Sequence, residues 1–299
     1  MKTLTFSHNS NIDTAKWDSC IQNAPNSRIY GFSWYLDIIF PEWYGLIYGD
    51  FEYVMPVFIS KKWGLKYILQ PPYAQQTGVF PNPEQEIMLK FTRRLSQEAR
   101  YIQTNLNNSN HIPKNWEIIS KENFLLNLSD TYQNIRSGFN KHTKRYTNKA
   151  KKNVNINEHI TIKQYIDLKK AASGKFINDE ILNKLRLILL KSQERNMLEL
   201  LAAYDQQNEL CAAAAFIHDP RRITYINGVS SDLGKTHRAM YAIINDFLHK
   251  NTENPKVLDF EGSSIPGVAR FFRGFGAQPE QYYLIKQNRL PFLIKGLIK

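Results

Sequence analysis

LELLAAY (198–204), DQQN (205–208), LCAAAAFI (210–217) and, after HDP (218–220), RITYINGV (222–229) make up the stretch that decides the fold. Three apolar runs of strand length are separated by turn-forming residues, the pattern of an antiparallel three-strand meander. Working forward, residues 236–249 carry Met240, Ile243, Ile244 and Phe247 at helical spacing. A short apolar strand at 257–260 follows, and 281–285 reads as a closing strand. Working backward, 161–172 and 179–194 have helical periodicity.

The same order is legible in the first half. Residues 43–48 read as a strand, Gly49 and Asp50 as a turn, and 51–59 as a second strand in which Pro56 marks an edge or a bulge. Residues 65–69 form the third. Residues 83–105 carry Ile87, Phe91, Leu95 and Ala99 at helical spacing, and short strands are expected at 116–119 and 124–128. Helices are expected at 13–23 and 33–40. The fold class is therefore α/β, two tandem units with mixed, mostly antiparallel sheets. The expected boundaries are 1–130 and 158–299, joined by a basic helical connector, 131–157, packed on the second unit. This order of elements resembles the acetyltransferase (GNAT-like) fold, and its duplication in one chain resembles the Fem-type (FemAB-like) peptidyltransferases.

Composition agrees with two packed cores: of 299 residues, 42% are apolar and 13% aromatic. Cys20 and Cys211 sit among apolar neighbours and read as core residues, and no metal-ligand spacing occurs. The N-terminus turns polar by His8, unlike a signal peptide, and no run approaches the roughly 20 apolar residues of a membrane span. The expectation is a soluble, cytoplasmic protein without stable membrane insertion. A net charge of +12 favours anionic partners.

That charge is concentrated between the halves. Residues 131–157 contain no acid but hold Arg136, Lys141, Lys144, Arg145, Lys149, Lys151 and Lys152. Ile135, Phe139, His142, Tyr146 and Ala150 fall at helical spacing and are expected to face inward. Lys141, Lys144, Arg145, Lys149 and Lys152 then share the outer flank. Two readings stand: a solvated face, or a ridge that binds an anionic donor or acceptor. NKHTKRY (140–146) and KAKK (149–152) resemble the basic helix that precedes the second domain in the Fem family.

In VLDFEGS (257–263), alternation sets Asp259 and Glu261 on one face at the end of a core strand, beside a ligand crevice. Either acid could instead cap a helix or pair with an arginine. Residues 264–267, with Pro266 in the first turn, read as a capped helix start. GVARFFRGFG (267–276) resembles the phenylalanine–basic–glycine signature near the end of Fem-type transferases. The resemblance implies a basic residue that stabilises the acyl carbonyl or a substrate phosphate. The family usually carries lysine there; here the choice is Arg270 or Arg273, and the following glycine and phenylalanine favour Arg273.

SSDLGKTHR (230–238) ends like a phosphate-binding loop, but its first glycine, Gly228, is one place out of register, and nucleotide hydrolysis is not expected. It lies where an acetyltransferase holds the donor's anionic group, with Lys235, His237 and Arg238 as candidate contacts. Tyr225 and Asn227, on the preceding strand, would line the donor carbonyl. The polar loop 70–78, with Tyr73 and Gln75, is a candidate for acceptor binding.

The resemblance implies an acyl- or aminoacyl-transferase that moves an activated acyl group onto an amine. The acceptor would be a small molecule or a cell-envelope precursor. The donor would be acyl-CoA or aminoacyl-tRNA, with no metal. No serine or cysteine stands in a nucleophile motif, so direct attack is expected. On this reading Arg273 (or Arg270), Glu261 and Asp259 would be catalytic. The alternative is a non-catalytic GNAT-fold protein that binds RNA or an anionic envelope component through the basic helix.

Overall fold

The computed structural model describes residues 2–113, 115–174, 178–262 and 265–291. The chain divides into two compact units, Met1–Lys121 with Gln281–Lys299, and Glu122–Glu280.

In the first unit, β1 (Leu4–His8) is followed by α1 (Thr14–Asn23), α2 (Ser33–Ile39), β2 (Tyr44–Tyr48) and β3 (Tyr53–Val57). The carboxylate of Asp13 starts α1 by accepting the amides of Ala15 and Lys16 at 3.1 Å. β1, β2 and β3 form an antiparallel sheet in which β3 is an edge, the position Pro56 tolerates. Phe58 interrupts the strand expected over 51–59, and the chain continues as β4 (Ile59–Lys62) in a second sheet. β4 pairs antiparallel with β5 (Leu65–Leu69), and α3 (Gln85–Glu98) leads to β6 (Tyr101–Leu106), parallel to β5.

Two expectations are corrected here. The helix over 83–105 stops at Glu98, because the apolar stripe ends at Ala99 and 101–106 is strand. The polar residues of β6 mask its alternation. Gln70 Oε1 accepts from Thr104 Oγ1 at 2.9 Å and from the Asn105 amide at 3.1 Å. The strands expected at 116–119 and 124–128 are one strand, β7 (Glu117–Asn127).

The second unit continues with α4 (Tyr132–Ser137), α5 (Lys141–Ala150), β8 (Asn155–Asn157), α6 (Ile162–Ser173) and α7 (Asp179–Glu194). The meander is then β9 (Leu198–Tyr204), β10 (Leu210–His218) and β11 (Arg222–Ser230). After it come α8 (Asp232–His237), α9 (Ala239–Asn251), β12 (Val257–Asp259), α10 (Pro266–Gly274) and β13 (Gln278–Asn288). Alanines 212–215 of β10 are fully buried, and beside them Phe216 stacks on Phe247 of α9 at 3.9 Å. β12 lies parallel to β11 and antiparallel to β7. The two closing strands therefore pair in the reverse of the expected order. Residues 125–127 join β12 of the second unit, and residues 283–288 of β13 join β6 of the first.

The basic segment is two helices. α4 ends at Gly138, and Asn140 starts α5 by accepting the Thr143 amide at 2.8 Å. The restart shifts the helical phase, so Thr143, Thr147 and Ala150 face inward while His142 is exposed and Tyr146 is half-buried. α10 starts with Pro266 in its first turn; Ser263 and the helix start expected at Ser264 lie outside the described residues.

Candidate functional site

The parallel ladder of β11 and β12 runs Arg222–Val257, Ile223–Leu258, Thr224–Asp259 and then stops. Two local features separate the strands. On β11, Asn227 faces Ala215 of β10 while Tyr225 faces Phe216, leaving Ile226 as the extra residue of a β-bulge, which bends the strand. On the other side, the chain leaving β12 stays with β7. The Phe260 amide donates to the Phe124 carbonyl at 2.9 Å and the Gly262 amide to Asn123 Oδ1 at 2.8 Å. Between them Glu261 adopts a left-handed conformation (φ 53°), uncommon for a side chain of its size.

The strands part around a cavity of about 470 Å³, in the size range of small-molecule sites. Residues 225–230 of β11 form one wall and residues 260–262 another. Gly234, Lys235, Arg238, Met240 and Tyr241 come from α8 and α9, and Gly267, Val268, Phe271 and Phe272 from α10. From Tyr225 onward the outer edge of β11 pairs with no strand among the described residues, so main-chain groups there, apart from the Asn227 carbonyl held by Tyr165, are available to an extended ligand.

Tyr225 sits in an aromatic nest of Phe216, Phe260 and Phe272, with its hydroxyl against Gly228 and 3.6 Å from Met240 Sδ. Burial pushes its phenol pKa up, so the hydroxyl stays protonated and can donate. Asn227 lines the same wall, its side-chain and backbone oxygens accepting from the Tyr165 hydroxyl at 3.0 and 2.9 Å. Lys235, whose ammonium lies 2.9 Å from Asp232, and Arg238 are the cations among the lining residues. The Arg238 guanidinium stacks 4.7 Å from the Tyr146 ring, and Tyr146 meets Tyr241, so α5 flanks the cationic side of the cavity. His237 is half-buried and does not line it.

The two acids of the 257–263 stretch part company. Glu261 lines the cavity. Asp259 is 1% exposed and accepts from Arg222 Nη1 at 3.0 Å, Asn123 Nδ2 at 2.9 Å and the Glu261 amide at 3.0 Å. Its oxygens hold the framework beneath Glu261 instead of facing a substrate. Neither basic residue of α10 is among the residues that line the cavity. The cavity-lining positions 267, 268, 271 and 272 share one helical face, and Arg270 and Arg273, three apart, fall on the opposite flank. Both are exposed; Arg273 pairs with Glu122 at 2.7 Å and covers the Phe124 ring.

On α5, Lys141, Arg145 and Lys149 lie four residues apart along one exposed stripe. Lys144 is drawn away to the Ser137 carbonyl at 2.9 Å, closing the end of α4. Tyr73 and Gln75 belong to the first unit, where their backbone carbonyls accept from the Tyr35 hydroxyl at 2.7 Å and from Asn105 Nδ2 at 2.6 Å. They hold the loop together and are not among the cavity-lining residues. Met240, Tyr241, Phe271 and Phe272 also line the cavity, a role the sequence hides because apolar residues at helical spacing read as core. Among the described residues no cluster of three or more metal-ligating side chains occurs.

No protein-family model matches the chain, and no curated protein matches it in sequence. Solved structures do. FemX superposes with a TM-score of 0.66 over 100% of this chain and 99% of its own, at 11% identity. A conserved protein of unknown function from Bacteroides thetaiotaomicron gives 0.62 over 95% and 99%, also at 11% identity. L-PGS from Bacillus licheniformis gives 0.55 over 95% and 94%, at 9% identity. The chain has a Fem-type fold, shared with FemX and L-PGS. At these identities the likeness is one of fold; function has to come from the cavity.

Proposed function

We propose that the cavity between β11 and β12 is the active site of an acyl- or aminoacyl-transferase acting on an amine. The observation that carries this reading is the convergence there of an open strand edge, a protonated tyrosine, a carboxylate and two cations. The open edge of β11 suits an extended, amide-bearing donor arm, which it would hold by main-chain hydrogen bonds. Lys235 and Arg238 suit the donor's phosphates, which both acyl-CoA and aminoacyl-tRNA carry. The donor carbonyl then lies beside Tyr225 and Asn227.

In the reaction, the amine nitrogen attacks the carbonyl carbon of the ester or thioester. A C–N bond forms, the C–O or C–S bond breaks, and the amine loses a proton while the leaving oxygen or sulfur gains one. Glu261 accepts the amine proton. The Tyr225 hydroxyl donates to the oxygen on which charge develops, or to the leaving atom. Asp259, with Arg222 and Asn123, fixes the backbone turn that presents Glu261, a positioning role. The acceptor is an amine-bearing small molecule or cell-envelope precursor, and the enzyme acts in the cytoplasm.

The test is a transfer assay that follows release of free CoA or deacylated tRNA from purified protein with panels of amines. Turnover that falls in both Glu261→Gln and Tyr225→Phe supports the assignment; turnover indifferent to both removes it. A second reading, a non-catalytic binder of RNA or another polyanion, draws on the exposed Lys141, Arg145 and Lys149 stripe. It requires steeply salt-dependent binding that ignores Glu261 and fails in a triple glutamine variant of the stripe.

A further inference from the structure

In the first unit, β4 and β5 form a hairpin whose tip reads Lys61, Lys62, Trp63, Gly64, Leu65, Lys66, with β4 at the edge of its sheet. Lys62 pairs with Leu65, so Trp63 and Gly64 are a two-residue turn, and both have positive φ, 49° and 75°. Such turns favour Asn-Gly or Gly-Gly, and a tryptophan in the left-handed region is unfavourable. Trp63 is also 70% exposed, more than any other large hydrophobic residue among those described. One rung behind it Lys61 faces Lys66 directly across the ladder, a like-charge pair that weakens the hairpin. No acid occurs from residue 53 to residue 83.

Lysines on an edge strand guard against edge-to-edge pairing, which accounts for Lys61. It does not account for an exposed indole in a strained turn. Three locally unfavourable choices in six residues need a common gain, and we infer that the Trp63 hairpin is a peripheral anchor for an anionic lipid surface. The spacing suits that partner. Strands rise about 3.3 Å per residue, so the lysines lie roughly 3–7 Å behind the apex. The indole then reaches the headgroup boundary while the ammonium groups sit at the lipid phosphates. The Lys62 ammonium, 4.6 Å from the Trp63 ring, keeps charge and indole together. A single-stranded nucleic acid would be met by several stacking rings along a groove, and this tip offers one.

The experiment is co-sedimentation of the full chain with phosphatidylglycerol–phosphatidylcholine vesicles and with pure phosphatidylcholine vesicles, with tryptophan emission recorded alongside. The expected result is binding to the anionic vesicles only, weakened by salt, with a blue-shifted emission. Replacing Lys61, Lys62 and Lys66 together by glutamine should cost about fivefold in affinity per lysine. Trp63→Asn suits the turn better, so it should keep or raise the thermal midpoint while losing the blue shift and most of the binding. Unchanged binding by Trp63→Asn, equal binding to neutral vesicles, or no binding to either would overturn the proposal.

Discussion

Alternation would set Glu261 and Asp259 on one strand face, but β12 ends at Asp259 and Glu261 turns into the left-handed region, so one lines the cavity and the other is locked beneath it. Glu261→Gln and Tyr225→Phe should each lower turnover by about 10²-fold, the ordinary contribution of a positioned acid or base, with little change in thermal midpoint. Trp63→Asn should stabilise the fold by about 1 kcal/mol, relief of a left-handed non-glycine residue, read as a raised midpoint in thermal unfolding. Asp219 supplies a pH test. Its buried carboxyl has its pKa pushed up by desolvation, against the Arg221 and Arg222 amides and the charges of Arg222 and Lys256. A carboxyl raised in the folded state stabilises below the unfolded value and loses that contribution as pH rises through the folded one. Asp219→Asn should therefore be more stable than wild type at pH 7, with the difference closing as pH falls to the ordinary carboxylate range, near about 4.

The elements were readable where packing left a clean period and unreadable where partners lie far along the chain. The meander 198–229 carries its own turns, and α6 and α7 start and end within about a residue of their apolar stripes. The partners of the closing strands were not readable, because alternation says which face is buried and nothing of which neighbour it meets. The same holds for Asp259, whose partner Asn123 lies 136 residues away. The place of Arg270 and Arg273 outside the cavity lining is hidden from the sequence for a related reason. A helical repeat groups residues into stripes, and only the packing of Phe271 and Phe272 tells which stripe faces the cavity. Gly262 tests the element that opens the site, since a Cβ there would strike the Glu122 carbonyl. Gly262→Ala should destabilise by about 1–3 kcal/mol in chemical denaturation and pull the 260–262 wall away from β7.

At the scale of the whole molecule, a superposition with FemX covering 100% of this chain at 11% identity says that packing order outlasts residue identity. The basic character of the chain gathers at three places, the exposed stripe of α5, Lys235 and Arg238 at the cavity, and the Lys61, Lys62 and Lys66 hairpin. The most direct measurement is the thermal shift produced by acetyl-CoA, longer acyl-CoAs, and charged and uncharged tRNA, on wild type and on a Lys235→Glu, Arg238→Glu double variant. The proposed site predicts stabilisation of wild type by one acyl donor above its deacylated form, lost in the double variant. A shift that is the same in both proteins, or no preference for acylated over deacylated donor, would contradict it.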